Sequence, residues 1–516
     1  MAGIRRFVLV LASVSVTLTA VPVVAQLIDR TMAPNAAGAG IALSLDEQIG
    51  PGRGDWFTVD SSSYVINRDP FRAIRRGRQL FQRKFPVSRG QGPLAGDGFG
   101  DIERNRAIGA GLADSCAACH GRPRGSAGFG GDVATRPESR DAPHLFGLGL
   151  KEMLADEMTT VLRAIRTDAV GWAVRSGREI RRPLVAKGVH FGHIVGRPDG
   201  TADTSRVSGV DPDLRIRPFF AHGGTISIRE FVVGALNAEM GLQVADSDLA
   251  FAAAGARVVT PAGMALDGSA DTIEAPPPGA GELDPAVVDY LEFYLLNYFK
   301  AATGEQDAQT ERGRQLLAKT GCTSCHVPDL VIARDRRVAD VETVFDPVNG
   351  HFNRLFATAY PLFTEVNDGT GHPSLKQPRQ RTFVVRNIFT DFKRHDLGPQ
   401  FHEREYDGSI QSEHLTMALW GVGSTPPYGH DGRSVTLIDV ILRHGGEAQA
   451  ARDAFAALLP REQRQIIAFL SSLILFPPDD TASNLDPGDP ATPGFPQFGH
   501  GSIRLTGLFN DPWRLE

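Results

Sequence analysis

Two pentads, "CAACH" at 116–120 and "CTSCH" at 322–326, contain all four cysteines of this 516-residue chain. Three chemistries use a Cys-x-x-Cys pair. A structural zinc site needs four ligands converging from both pairs and gives no reason for a His directly after each second Cys. A redox dithiol wants a βαβ setting and does not need the His. Covalent haem attachment uses every residue of the pentad: two thiols add to the vinyl groups of one porphyrin, and the adjoining imidazole lies beneath the iron as proximal ligand. The duplication therefore predicts two c-type haems. One is attached at Cys116 and Cys119 with His120 on its iron, the other at Cys322 and Cys325 with His326. Each iron then needs at most one more protein ligand, His or Met, and an iron without one is a reaction site.

Among 14 His and 7 Met, the most informative candidate closes the stretch "STPPYGHDGRSVTLIDVILRHGGEA" (424–448). Thr436 reads as an N-cap, and Leu437, Ile438, Ile441 and Leu442 give a helical apolar face. His444 ends that helix before Gly445-Gly446. By itself the pattern fits either a C-cap pairing with the last carbonyls or an iron ligand.

The elements that must position these groups are mostly helical. Asp69-Pro70 opens a helix, "PFRAIRRGRQLFQRKF", with Ile74, Leu80 and Phe81 on one face and the arginines on the solvated side. "LDPAVVDYLEFYLLNYFK" reads as a core helix, with Tyr290, Tyr294 and Tyr298 as a packing stripe at i+4 spacing. "ERGRQLLAKTGCTSCH" delivers the second pentad as the 70–85 helix leads to the first, and Gly-Arg-Gln-Leu recurs at 77–80 and 313–316. A final helix, "PREQRQIIAFLSSLIL", ends before Pro477-Pro478. Residues 176–230 and 328–420 lack periodicity and read as irregular insertions around the haems. The expected fold is mainly α, with two cytochrome-c-like units. An N-terminal one with an insertion spans 26–280, a C-terminal one spans 281–476, and a Pro/Gly-rich tail covers 477–516.

The composition is that of a globular chain, with 42% hydrophobic and 22% charged residues, and the formal charge of −6 carries no basic block that would point to nucleic acid. Arg5 and Arg6 precede an apolar stretch from Phe7 to Val24, and Val23-Val24-Ala25 supplies a small-residue cleavage pattern. Residues 1–25 are therefore read as a signal peptide, with export to the periplasm and no membrane association after cleavage. Export suits c-type haem, and with four thiols committed as thioethers no disulfide is available.

Residues 71–120 and 283–476 resemble the bacterial dihaem cytochrome c peroxidase superfamily, and most of all its dihaem oxidoreductase (thiol oxidoreductase) branch. The segments carrying the resemblance are "GQGPL" before "SCAACH", "RDAPHLFGLGL" (140–150), "DFKRHDLGP" (391–399), "LWGVGSTPPYGHDGR" (419–433) and "RHGGEA" (443–448). In the peroxidases the C-terminal haem takes a Met fourteen residues after the His of the "HDG" turn. Counted from His430, that position is His444, which implies a bis-His second haem. Met417 matches nothing in the pattern.

The peroxidases carry a distal His in the loop after the first pentad. Here that loop, 121–139, has neither His nor Met, so the resemblance implies an open first iron. His144 is the nearest candidate and is expected to pack beside the haem instead. A Glu-Met pair supplies the proton shuttle of the superfamily, and "PFFAHGGTISIREFVVGALNAEMGL" (218–242) makes Glu239 the acid/base. Phe219-Phe220 stands where the family has an inter-haem Trp. A calcium ion is a further candidate, with Thr425 and Pro427 at its backbone positions but Gly147 where relatives have Asn.

The reading is an exported dihaem c-type oxidoreductase. It reduces peroxide at the N-terminal haem, with electrons from a small cytochrome or cupredoxin passing through the C-terminal haem. The alternatives are a dihaem electron carrier without catalysis, and an oxygen-dependent or side-chain-oxidising dihaem enzyme.

Overall fold

The computed structural model describes residues 44–475 apart from 86–112, 122–126, 131, 134–139, 277–280, 299–300, 305, 342–359 and 406. The expected signal peptide and tail, the "GQGPL" segment and most of the loop after the first pentad lie outside the described residues.

Two helix crossings organise the chain. The helix Pro70–Gln82 starts on the side chain of Asp69, which accepts from the Arg72 amide, with Pro at its first position. It crosses Ala286–Asn297, a helix with every residue buried. The crossing is tight at Gly77, where a Cβ would meet the Tyr290 carbonyl oxygen at 2.1 Å. The helix Ala308–Lys319, started by a capping box at Asp307, crosses Pro460–Ser471 in the same manner. A Cβ on Gly313 would lie 1.9 Å from the Gln465 carbonyl oxygen. The repeated Gly-Arg-Gln-Leu thus marks two equivalent backbone-to-backbone contacts, each on the helix preceding a pentad. Only glycine permits helix axes to approach this closely.

One core gathers Ile74, Leu80, Phe81, Leu150, Met153, Tyr290, Tyr294 and Tyr298 among many others. A second is built from Leu316, Leu317, Leu437, Phe455, Ile466 and Phe469. The helix Ala286–Asn297 packs in the first core, which also takes in Leu330, Val385, Trp420 and Leu475. The tyrosine stripe is fully buried, with Tyr294 and Tyr298 ring centroids 4.8 Å apart and Phe81 5.8 Å from Tyr294.

The arginine face of Pro70–Gln82 differs from expectation. Arg76 and Arg78 are buried, and Arg76 Nη1 donates to the Tyr290 hydroxyl at 2.8 Å. A helix clasped on two sides has too little solvated surface for all its charges, so two of them are buried, Arg76 on the Tyr290 hydroxyl.

The expectation of a mainly helical chain holds for the pentad-bearing units but not for the segments between them. Among the described residues there are nineteen short strands beside twelve α-helices. Residues 176–230 contain a three-stranded antiparallel sheet, Ile180–Ala186, Val189–Gly196 and Ala202–Asp203. Its first turn is Lys187-Gly188, with φ of 49° and 83°, the mirror-image geometry that suits a two-residue hairpin. Residues 328–420 contain further two-stranded pairs, including Leu330–Ile332 with Phe383–Val385 and Arg394–Asp396 with Glu413–Leu415. Strands of two to four residues are too short to show alternation, which is why the sequence read as irregular. No helix among the described residues is long and apolar enough to cross a membrane.

Candidate functional site

The first pentad forms a single helical turn, Cys116–His120, capped by Ser115, whose hydroxyl accepts from the Ala118 amide. Two backbone bonds fix it in place. The Phe85 amide, just beyond the helix Pro70–Gln82, donates to the Asp114 carbonyl at 2.7 Å, and the Ala113 amide donates to the Glu239 carbonyl at 3.3 Å. Burial pushes the Cys116 thiol up to about 12. Burial, with Glu239 and Asp114 nearby, pushes Cys119 up to about 11. Thiols held protonated are unlike the low-pKa nucleophile of a redox dithiol. Nor do the four thiols share one cluster of possible metal ligands among the described residues, so a joint zinc site is not built.

The two pentad histidines share one arrangement. His120 Nδ1 lies 2.8 Å from the Pro143 carbonyl oxygen and His326 Nδ1 lies 2.9 Å from that of Phe389. A carbonyl can only accept, so Nδ1 carries the proton and Nε2 keeps its lone pair. That is the tautomer a metal-ligating imidazole adopts when its far nitrogen is held. Burial pushes both imidazoles down to about 4, keeping them neutral.

His444 repeats the pattern. It caps the helix Leu437–Arg443, which Thr436 opens with a capping box, and its Nδ1 donates to the Val440 carbonyl at 2.6 Å. The capping role and a ligand role are therefore compatible: one nitrogen closes the helix and the other stays available. His444 also lies close enough to His326 for its charge to depress that ring's pKa. The structure thus brings together these two residues, 118 positions apart in the chain. Met417 is exposed.

Glu239 caps the helix Ile228–Ala238. The half-buried face of that helix, Phe231, Gly234, Ala235 and Ala238, runs down to it. Its carboxylate is near enough to Cys119 to raise that thiol. A buried cluster anchors the helix: Arg229 reaches Asp246 at 2.6 Å, Glu292 at 2.7 Å and Asp289 at 2.9 Å. Phe219 is buried, and Phe220 is partly exposed with a φ of 60°.

His144 is committed elsewhere. Its Nε2 lies 2.9 Å from the Trp420 carbonyl oxygen, so that nitrogen is a donor and is occupied. The bond joins two segments that also hold the pentad histidines. Pro143, the neighbour of His144, accepts from His120. Leu419, the neighbour of Trp420, donates to the Ile388 carbonyl at 2.9 Å, and the next residue, Phe389, accepts from His326. One covalent and hydrogen-bonded track therefore connects the two imidazoles. The sequence reading did not single out Trp420 as a site residue, placing Phe219-Phe220 at the inter-haem position instead. Its place in the "LWGVG" motif was the available signal, and the structure buries it. Gly147, at the expected Asn position for calcium, starts the helix Leu148–Ser176 with a φ of 73°.

The fit of these residues to haem rests on this geometry: half-buried thiols on one turn, and beside each pair an imidazole whose Nδ1 is engaged while Nε2 is left for iron.

Residues 336–473 match the family described as "Di-haem oxidoreductase, putative peroxidase", which upholds the resemblance read from the motifs. Among solved structures, hydrazine synthase of Kuenenia stuttgartiensis is similar at 15% identity, over 37% of this chain and 55% of that chain, with a TM-score of 0.22. A MauG-like protein associated with microbial copper homeostasis is similar at 14% identity, over 44% of this chain and 61% of that chain, with a TM-score of 0.18. The match therefore spans less than two thirds of either solved chain. No curated protein matches.

Proposed function

We propose that this chain, whose residues 336–473 belong to the di-haem oxidoreductase family, is an exported enzyme that reduces peroxide. It would hold two covalent haems, on Cys116, Cys119 and His120 and on Cys322, Cys325, His326 and His444. Bound there, the haems would supply redox iron, with His120 the ligand residue of a peroxide-reactive first haem and His326 and His444 those of an electron-passing second. The observation that carries the reading is the shared arrangement of His120, His326 and His444, each with Nδ1 on a backbone carbonyl.

The remaining chemistry belongs to the chain. Reduction of peroxide to two waters consumes two electrons and two protons, and Glu239 is the group beside the first pentad able to hand a carboxyl proton to a departing oxygen. The Pro143–His144–Trp420 and Leu419–Ile388–Phe389 segments fix both proximal rings and provide the bonded route between them. Electrons would come from a small exported cytochrome or cupredoxin.

Glu239→Gln tests this directly, because it keeps size and polarity but removes the titrating proton. Peroxide turnover should fall by about 10²–10⁴-fold, the usual worth of a general acid/base, with both haem spectra unchanged. Unchanged turnover would remove Glu239 from the mechanism.

A further inference from the structure

Away from both pentads, Glu403, His414 and His430 converge, with one ligand atom from each within 4.8 Å of the others. His414 Nε2 and His430 Nε2 lie 4.0 and 3.9 Å from the same oxygen, Oε2 of Glu403. The two imidazoles stack with centroids 4.0 Å apart and planes 13° from parallel, so their edges present side by side to the carboxylate. All three side chains are buried, at 1% exposure for Glu403, 5% for His414 and 6% for His430. Neither ring nitrogen of His414 has a hydrogen-bond partner. A buried imidazole normally satisfies at least one nitrogen, and here the aqueous alternative is closed as well.

We infer that Glu403, His414 and His430 form a structural site for a divalent first-row metal ion of the zinc type. Two imidazoles and one carboxylate are a donor set that zinc accepts. Nitrogen donors exclude the calcium expected elsewhere in the fold, which takes oxygen alone. Three protein donors leave a fourth position of the tetrahedron, which burial restricts to a water molecule or the second oxygen of Glu403, so the ion acts as a clamp.

The clamp adds His414 to segments already tied through Arg443, which reaches the Gln400 carbonyl oxygen, Asp431 and Ser434. Glu403 sits on the strand Glu403–Arg404, His414 on Glu413–Leu415, and His430 in the turn closed by the Tyr428–Ser434 bridge. The His430 carbonyl accepts from Asp141 at 3.0 Å, which brings in the segment that leads to Pro143 and His144.

One group opposes the ion. The Arg140 guanidinium contacts Glu403 Oε2, the oxygen both histidines face. Metal entry requires Arg140 to yield that oxygen, which makes the site sensitive to this residue in a way a purely structural salt bridge is not.

The full chain, stripped with EDTA and dialysed, is titrated with zinc by calorimetry, beside His414→Gln, Glu403→Gln and Arg140→Leu. The wild type should show one tight site per chain. Loss of a ligand should weaken that site by at least the ~10–100-fold that a mere supporting contact is worth. Haem content and circular dichroism should match the wild type in both variants. Arg140→Leu, freed of the competing cation, should bind zinc more tightly. If the wild type shows no such site, or one that survives in His414→Gln, the zinc sits on surface histidines and the inference is overturned. Should the ligand variants not fold, Arg140→Leu decides alone: tighter binding upholds the site, and equal or weaker binding overturns it.

Discussion

Gly313→Ala probes the contact that sets the second pentad in place. The added Cβ would lie 1.9 Å from the Gln465 carbonyl oxygen and 2.9 Å from Phe469 Cβ. An ordinary approach is about 3.5 Å, so the helices Ala308–Lys319 and Pro460–Ser471 must part by roughly 1.5 Å. Neither contact can turn aside, because one atom is backbone and the other is the first side-chain carbon. A gap of about 0.5–1 Å already forfeits a quarter to a half of each dispersion contact. The seam between Leu316, Leu317, Ile466 and Phe469 would feel it. Overpacking of this kind costs about 1–3 kcal/mol, here at the upper end, and replacing a helical glycine by alanine returns about 1 kcal/mol. The net is about 2 kcal/mol. For a unit of this size that lowers the melting temperature by about 4–8 °C, read by circular dichroism at 222 nm. Gly171→Ala is the control, since its nearest neighbour is the guanidinium tip of Arg175 at 3.3 Å, which can swing away. It should stabilise by up to about 1 kcal/mol. The same substitution with opposite signs is the signature of a backbone contact. A Gly313→Ala variant as stable as the wild type would refute it.

Pyridine haemochrome on acid–acetone-washed protein should count two covalent haems per chain; one, or none surviving the wash, would end the dihaem reading. Low-temperature electron paramagnetic resonance should show one low-spin and one high-spin ferric signal, and His444→Ala should convert the low-spin signal alone. A wild type wholly low-spin and indifferent to cyanide would favour an electron carrier. Burial works against charge on His395, but hydrogen bonds to Asp391 and Glu447 outweigh it and lift the ring well above its ordinary value. A raised histidine contributes stability in full below its unfolded value of about 6.5 and loses it as pH rises through the folded value. The melting-temperature gap between wild type and His395→Gln should therefore be widest near pH 6 and narrow as pH rises through the folded value, and a gap that grows with pH would contradict the assignment.

The residues that must act in a fixed local order were legible in the sequence. A Cys-x-x-Cys-His pentad works within one helical turn, so its chemistry is written in adjacent letters. The caps at Asp69 and Thr436 and the buried helix Ala286–Asn297 are local for the same reason, since they follow from propensity and periodicity. Gly-Arg-Gln-Leu was visible as a repeat, but its meaning was not, because a glycine required by a neighbouring helix looks like any other glycine in one strand of text. The sheets between 176 and 230 and between 328 and 420 were illegible for different reasons. The seven- and eight-residue strands Ile180–Ala186 and Val189–Gly196 are interrupted by Pro183, a register shift and Gly192. The strands of two to four residues in 328–420 are selected by their partners, not by their own pattern. Tertiary structure alone decided which polar groups share a place. It buried Arg76 against Tyr290, gave His144 to the Trp420 carbonyl, and set Glu403, His414 and His430 around one point. Such groupings depend on long-range closure of the chain, and spacing along the sequence carries no record of it.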